Sequence, residues 1–161
     1  MHNFKKELYL KIIFIISFTA LVSAFFIEYA LGYQPCYLCL IERIPYGISI
    51  ILVITIFILK KNENFLIMLL ILTFIFSLAI SIYHFGIEQG FFLESSVCGT
   101  KDFNENITKE DLLDLLSQER VSCKDVTFRI FGLSLTSINI VISLLLILTL
   151  TKIFTNYEKK R

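Results

Sequence analysis

Net charge is nearly absent from this sequence. Its 161 residues carry 15 lysines and arginines against 14 aspartates and glutamates, a formal balance of +1, so no overall field favours nucleic acid as a partner. Charged residues of either sign are scarce at 18%, beside 56% hydrophobic residues. That mixture is too apolar for an ordinary soluble domain. The chain has no P-loop, no flavin fingerprint and no haem-attachment motif, so the common sequence marks of a resident electron carrier are missing. It also has no internal repeat and no low-complexity segment.

The apolar residues collect in four blocks, residues 12–27, 44–59, 65–83 and 131–151, none of which contains a charge. The last two blocks, of 19 and 21 residues, are long enough to cross ~30 Å of hydrocarbon at ~1.5 Å per residue. The first two have 16 residues each. They reach spanning length if residues 8–11 and 40–43 join their helices, with Lys11 and Arg43 snorkelling to the interface. The first block follows a basic start, but it exceeds a signal-peptide core, and Val22-Ser23-Ala24 is a poor cleavage site still inside it. It is therefore expected to remain as a span. The fold class is an all-α membrane protein, a single four-transmembrane-helix bundle over residues 1–161. Its expected spans are about 9–29, 40–59, 65–83 and 131–151, with outer loops about 30–39 and 84–130.

With four spans both termini share one side. That side would hold Lys5, Lys6, Lys11, Lys60, Lys61, Lys152, Lys159, Lys160 and Arg161, nine of the fifteen basic residues. The loop 84–130 on the other side has nine acidic residues against five basic ones. Positive charge marks the cytoplasmic face, so the termini are expected inside and both long loops outside. Pro35 suits the first turn of a helix, which puts the start of the second span near Pro35 or Cys36. Pro45 within that span invites a kink. The turn 60–64 is tight, so the second and third spans should be antiparallel neighbours. In the long loop, Thr108-Lys109-Glu110-Asp111 reads as a capping box leading into Leu112, Leu113, Leu115 and Leu116, a short amphipathic helix.

All four cysteines fall in the outer loops, which suits an oxidising compartment. Cys36 and Cys39 form a CxxC, whereas Cys98 and Cys123 are separated by 24 residues of polar loop. At a helix start, unpaired N–H groups and the helix dipole stabilise a thiolate, the reactive form of cysteine. Residues 36, 39 and 43 follow an i, i+3, i+7 spacing, so one helix face would present both thiols and Arg43. A guanidinium ~4 Å from a thiolate is worth about 4 kcal/mol at an effective dielectric of 20, or at most ~3 pKa units. The dipole offers only about 0.3–1 kcal/mol. On this reasoning Arg43 is the residue expected to lower a thiol pKa, acting on Cys39.

Other readings stand beside the redox one. A CxxC also occurs as a structural disulfide or as half of a zinc site. Arg43 reads equally as a snorkelling cation, and His84, Glu28 and Glu42 as interfacial polar residues, with Glu42 in a structural or charge-pair role before a catalytic one. If the thiols turn over, their electrons need an acceptor, and the one within reach of a small bundle is a lipid-soluble quinone. Tyr33, Tyr37, Tyr46 and Tyr83 would line a slot for it, or form an ordinary interfacial aromatic belt.

The stretch Pro35-Cys36-Tyr37-Leu38-Cys39-Leu40-Ile41-Glu42-Arg43 resembles the PCxLCxxER signature of the DsbB family, the bacterial membrane thiol:quinone oxidoreductases. The likeness extends over nearly the whole chain: four spans, a CxxC in the first outer loop, a cysteine pair in the second, and Phe131-Gly132-Leu133 shortly after the last cysteine. It implies that Cys98 and Cys123 form a disulfide that reoxidises a periplasmic thioredoxin-fold dithiol oxidase similar to DsbA, with Cys98 attacked by that partner. Cys36 and Cys39 would then receive the electrons and pass them to ubiquinone or menaquinone. Cys39 would contact the quinone, with Arg43 near its ring and His84 also in the quinone site. The loop segment 108–117 would resemble the family's mobile element. The resemblance also implies a bacterial inner membrane location. A specialised relative with one dedicated partner, a non-enzymatic subunit with structural disulfides and a zinc protein are the competing functions. The chain departs from the family in having Phe128 where a tryptophan follows the last cysteine, and Thr136 where a proline begins the last span.

Overall fold

A computed structural model describes residues 2–59, 62–93, 121–124, 128–130 and 132–158. Helix α1 covers His2–Tyr29, α2 Tyr37–Leu59, α3 Glu63–Glu88 and α4 Leu135–Glu158. All four are long and apolar enough to span a membrane. Large side chains such as Ile15, Phe26, Ile51, Ile58 and Leu145 point outward, Ile58 being 74% exposed. This is the surface of a protein whose solvent is hydrocarbon. Cys98 and the expected helix at 108–117 lie outside the described residues.

The helix ends explain where the bundle departs from the apolar blocks. The α2 helix begins at Tyr37, and the Cys36 carbonyl accepts its first helical bond from Leu40 N–H at 3.2 Å. Pro45 sits buried within α2, and the helix continues through it to Leu59. Asn62 precedes α3 with φ 57°, a left-handed conformation that asparagine tolerates. The far end of α3 passes Tyr83 and closes at Glu88 by a Schellman arrangement. Gly90 N–H donates to Ile87 O at 3.0 Å and Phe91 N–H to Gly86 O at 2.8 Å, with Gly90 at φ 77°. The last helix starts later than its apolar block. Arg129–Ile130 (β1) pairs antiparallel with Leu133–Ser134 (β2), Arg129 opposite Ser134. Gly132 in the connection has φ 83°. Ser134 Oγ then accepts Ser137 N–H at 3.2 Å, an N-cap that fixes α4 at Leu135.

Each helix packs on the next in chain order, most extensively α3 on α4, while α1 and α4 barely touch. A central core of Leu10, Ile13, Val53, Ile56, Ile67, Leu70, Phe74, Leu146 and Leu150 fills one half of the bundle. Helix crossings use small residues that allow close approach. Ser49 donates to Ser17 at 2.7 Å between α2 and α1, and Ser77 lies 3.2 Å from Ser143 between α3 and α4. Lys6 pairs with Glu63, joining the starts of α1 and α3. The other half of the bundle, where the CxxC lies, has a polar interior.

Candidate active site

Cys36 occupies the N-cap of α2, the position where serine or aspartate would serve. Its Sγ accepts the Cys39 backbone N–H at 3.3 Å and lies 2.7 Å from Cys39 Sγ. His84, one turn before the end of α3, approaches from the neighbouring helix with Nε2 3.5 Å from Cys36 Sγ. The ring is only 2% exposed. Its Nδ1 lies 3.0 Å from Glu42 Oε1 and 3.3 Å from Thr136 Oγ1. A proton on Nδ1 satisfies the carboxylate, so Nε2 is left facing the sulfur. The arrangement is a thiol, an imidazole and an orienting carboxylate in sequence, the layout that activates a sulfur nucleophile.

Glu42 is held from its other side as well. Asn139 Nδ2 donates to Glu42 Oε2 at 3.0 Å and to Ser81 Oγ at 2.8 Å, while the Tyr46 hydroxyl donates to Asn139 Oδ1. Thr136 donates to Glu88 Oε1 at 2.5 Å, and that oxygen is 3.9 Å from His84 Nε2. Helices α2, α3 and α4 thus meet in one buried polar network, where every bond replaces water that the interior excludes.

These contacts govern the charge on Cys36. Its pKa is lowered from 9.0 to about 5, first by the hydrogen bond from the Cys39 thiol. Burial opposes the shift, and His84 and the Cys39 N–H add to it. The ionised sulfur is therefore Cys36, with Cys39 as its donor, and Arg43 is not the cause. The Arg43 guanidinium is bonded to Glu28 Oε2 and lies over the Phe25 ring, 5.1 Å from its centroid. Among the described residues it makes no hydrogen bond to either sulfur, although it lines the same cavity. The i, i+3, i+7 spacing placed Arg43 on the right face, but Glu28 on α1 holds its charge.

The second cysteine loop is packed onto the first. Cys123 is disulfide-bonded and 2% exposed. It belongs to one buried cluster with Cys36, Leu38 and Ile87, against which Cys39 packs. Phe128 meets Tyr33 edge to face at 5.1 Å between ring centroids, a second contact between the loops.

A cavity of about 470 Å³ opens beside the thiols. One wall comes from α1, with Ile16, Ala20, Ala24 and Ile27, and another from α4, with Ile138 and Ile142. Cys36, Cys39, Arg43, His84 and Glu88 form its polar end. Tyr33 and Tyr46 also line it, whereas Tyr37 and Tyr83 are not among its walls. Cys36, Cys39 and His84 bring three donor atoms within 4.8 Å of one another. Two thiolates on a tetrahedral zinc at about 2.3 Å each stand roughly 3.8 Å apart. The 2.7 Å between these sulfurs is better suited to closing an S–S bond.

Glu88, Thr136 and Asn139 escaped the sequence reading. Asn139 left a signal, since an amide inside an otherwise apolar span is costly unless partnered. Glu88 stands four residues after His84, one helical turn on.

A helical membrane bundle with a thiolate-bearing CxxC at a helix start, and a disulfide-bonded cysteine packed on it, is a thiol–disulfide oxidoreductase framework. The family model for "Disulfide bond formation protein DsbB" matches residues 6–153, and the chain belongs to that family. A relative in Rickettsia prowazekii (strain Madrid E), the uncharacterized protein RP370, is 30% identical over 137 residues, covering 84% of this chain and 80% of its own. No solved structure matches. The protein is thus a multi-pass membrane oxidoreductase of disulfide bond formation.

Proposed function

We propose that the protein reoxidises a periplasmic, thioredoxin-fold dithiol oxidase similar to DsbA and passes the electrons to membrane quinone. The observation that carries this reading is the CxxC at the polar end of an apolar cavity between α1 and α4. A volume of about 470 Å³ falls within the ~300–1,000 Å³ of small-molecule sites. Apolar walls and a polar end made of Arg43, His84 and Glu88 suit a molecule with a lipid tail and carbonyl oxygens. Bound there, a quinone supplies a two-electron acceptor. Oxidising a donor poised near about −120 mV is uphill for most disulfides, at about 1.4 kcal/mol per 30 mV, so a strongly oxidising sink is needed for turnover.

In this reading Cys98 and Cys123 form the loop disulfide, as the likeness to the family implies. The partner's thiolate attacks Cys98, and the reduced loop pair then exchanges with a Cys36–Cys39 disulfide that Cys123 already abuts. Cys36 is the better leaving group, being the sulfur whose thiolate is stabilised. Arg43 and His84 bound the quinone end of the cavity. The excess of basic residues at the termini supports cytoplasmic ends and an inner-membrane location.

The test is turnover of the detergent-purified protein with a reduced thioredoxin-like donor, following quinone reduction. Quinone-dependent donor oxidation that disappears in Cys36→Ala and in Cys39→Ala is expected. Undiminished turnover in either variant would overturn the proposal.

A further inference from the structure

Among the described residues, Glu88 is the one cavity-lining residue whose side chain is almost wholly enclosed yet half unsatisfied. Its side chain is 5% exposed. Oε1 accepts the Thr136 hydroxyl at 2.5 Å, whereas Oε2 is buried with no hydrogen-bond partner. A buried polar oxygen without a partner costs roughly 1–3 kcal/mol, a penalty lifted when Oε2 shares a proton with a ligand's carbonyl oxygen. Glu88 is also reached by the thiol site, because His84 Nε2 stands between Cys36 Sγ at 3.5 Å and Glu88 Oε1 at 3.9 Å. Sulfur and carboxyl thus flank the same imidazole nitrogen, and both residues line the cavity.

We infer that Glu88 is a catalytic acid that hands a proton from the thiol pair to a quinone oxygen. The inference rests on the quinone reading above and assigns a role within it. Cys36 is already a thiolate, and the proton it gave up rests on His84 at Nε2. Closing the Cys36–Cys39 bond from thiolate and thiol sends two electrons to the quinone and frees the Cys39 proton. Glu88 takes the His84 proton and passes it to one quinone oxygen, and the Cys39 proton goes to the other, which completes quinol. Thr136 is a positioning residue, since its hydroxyl holds Oε1 and so turns the free oxygen of Glu88 outward from that bond.

The decisive variant is Glu88→Gln, which keeps an acceptor for Thr136 but cannot relay a proton. General acids contribute about 10²–10⁴-fold, so quinone reduction should fall by at least about a hundredfold. Quinone affinity and the thiolate titration of Cys36 should stay at wild-type values, showing an intact site. Infrared difference spectra, quinone-loaded minus quinone-free, should show a carboxyl band in the wild type that is missing from Glu88→Gln. Glu88→Asp, which retains the proton, should recover part of the rate. A Glu88→Gln protein with wild-type rate, or one that keeps the carboxyl band, overturns the role of Glu88. A wild-type protein that reduces no quinone overturns the functional reading itself, and the inference with it.

Discussion

Cys36 Sγ and His84 Nε2 face each other at 3.5 Å, joining the first turn of α2 to the last turns of α3. The Cys36 thiolate, held first by the Cys39 thiol and further by this contact, is pH-dependent in a definite sense. The folded pKa of Cys36, about 5, lies below the ordinary 9.0. Its ionisation therefore stabilises the reduced fold fully above about pH 9, and the gain is lost as pH falls through about 5. The ultraviolet thiolate absorbance of the reduced protein should titrate near pH 5. In His84→Asn the midpoint should move upward. A Cys36 midpoint near 9 in the wild type would contradict the arrangement.

Arg43 gives a separate test of which group sets that thiolate. Its charge is paired with Glu28, so Arg43→Met should leave the Cys36 titration where it is. The pair is partly exposed, about 16% and 17% for the two side chains, so its coupling should be modest. A double-mutant cycle of Arg43→Met with Glu28→Gln, read by thermal unfolding in detergent, should give about 0.5–1 kcal/mol. A large upward move of the thiol midpoint in Arg43→Met would restore the guanidinium as its cause.

Asn139 joins Glu42, Ser81 and Tyr46. Asn139→Leu strands three buried partners, and each unsatisfied polar group costs about 1–3 kcal/mol. The variant should unfold at markedly lower temperature and should also loosen His84, whose Nδ1 rests on Glu42. Equal melting temperatures would show that the amide is not structural.

At the helix crossings the serines matter for their size more than for their bonds. Ser17→Ala and Ser77→Ala should cost only about 0.6 kcal/mol each. Ser17→Leu and Ser77→Leu, placed where the side chain is fully buried, should cost about 1–3 kcal/mol through overpacking. Thermal unfolding of the four variants separates the two effects.

The four spans were readable because uncharged runs of 16 to 21 residues leave few alternatives. The helix ends were less so. The sequence reading began the last span at residue 131, since hydropathy alone does not reveal that Leu133 and Ser134 pair with a strand and that Ser134 caps a helix. The CxxC at a helix start was legible from Pro35 and the spacing, and so was the common face that carries Arg43. What spacing along one helix leaves out is the neighbour across the groove. Glu28 on α1 takes the guanidinium, and His84 on α3 takes the thiol. Glu42, read from sequence as a structural or charge-pair residue, stands 3.0 Å from that histidine and orients it.

The sparse contact between α1 and α4 leaves the cavity with a seam along the bundle's flank. A molecule entering there comes sideways out of the lipid, so the concentration it obeys is its mole fraction in the membrane or micelle, not its molarity in the buffer. Apparent Michaelis constants for such a molecule should rise in proportion to added detergent, because dilution occurs in the hydrocarbon phase. For a water-borne protein partner meeting the other end of the site, the same addition should leave the constant where it was.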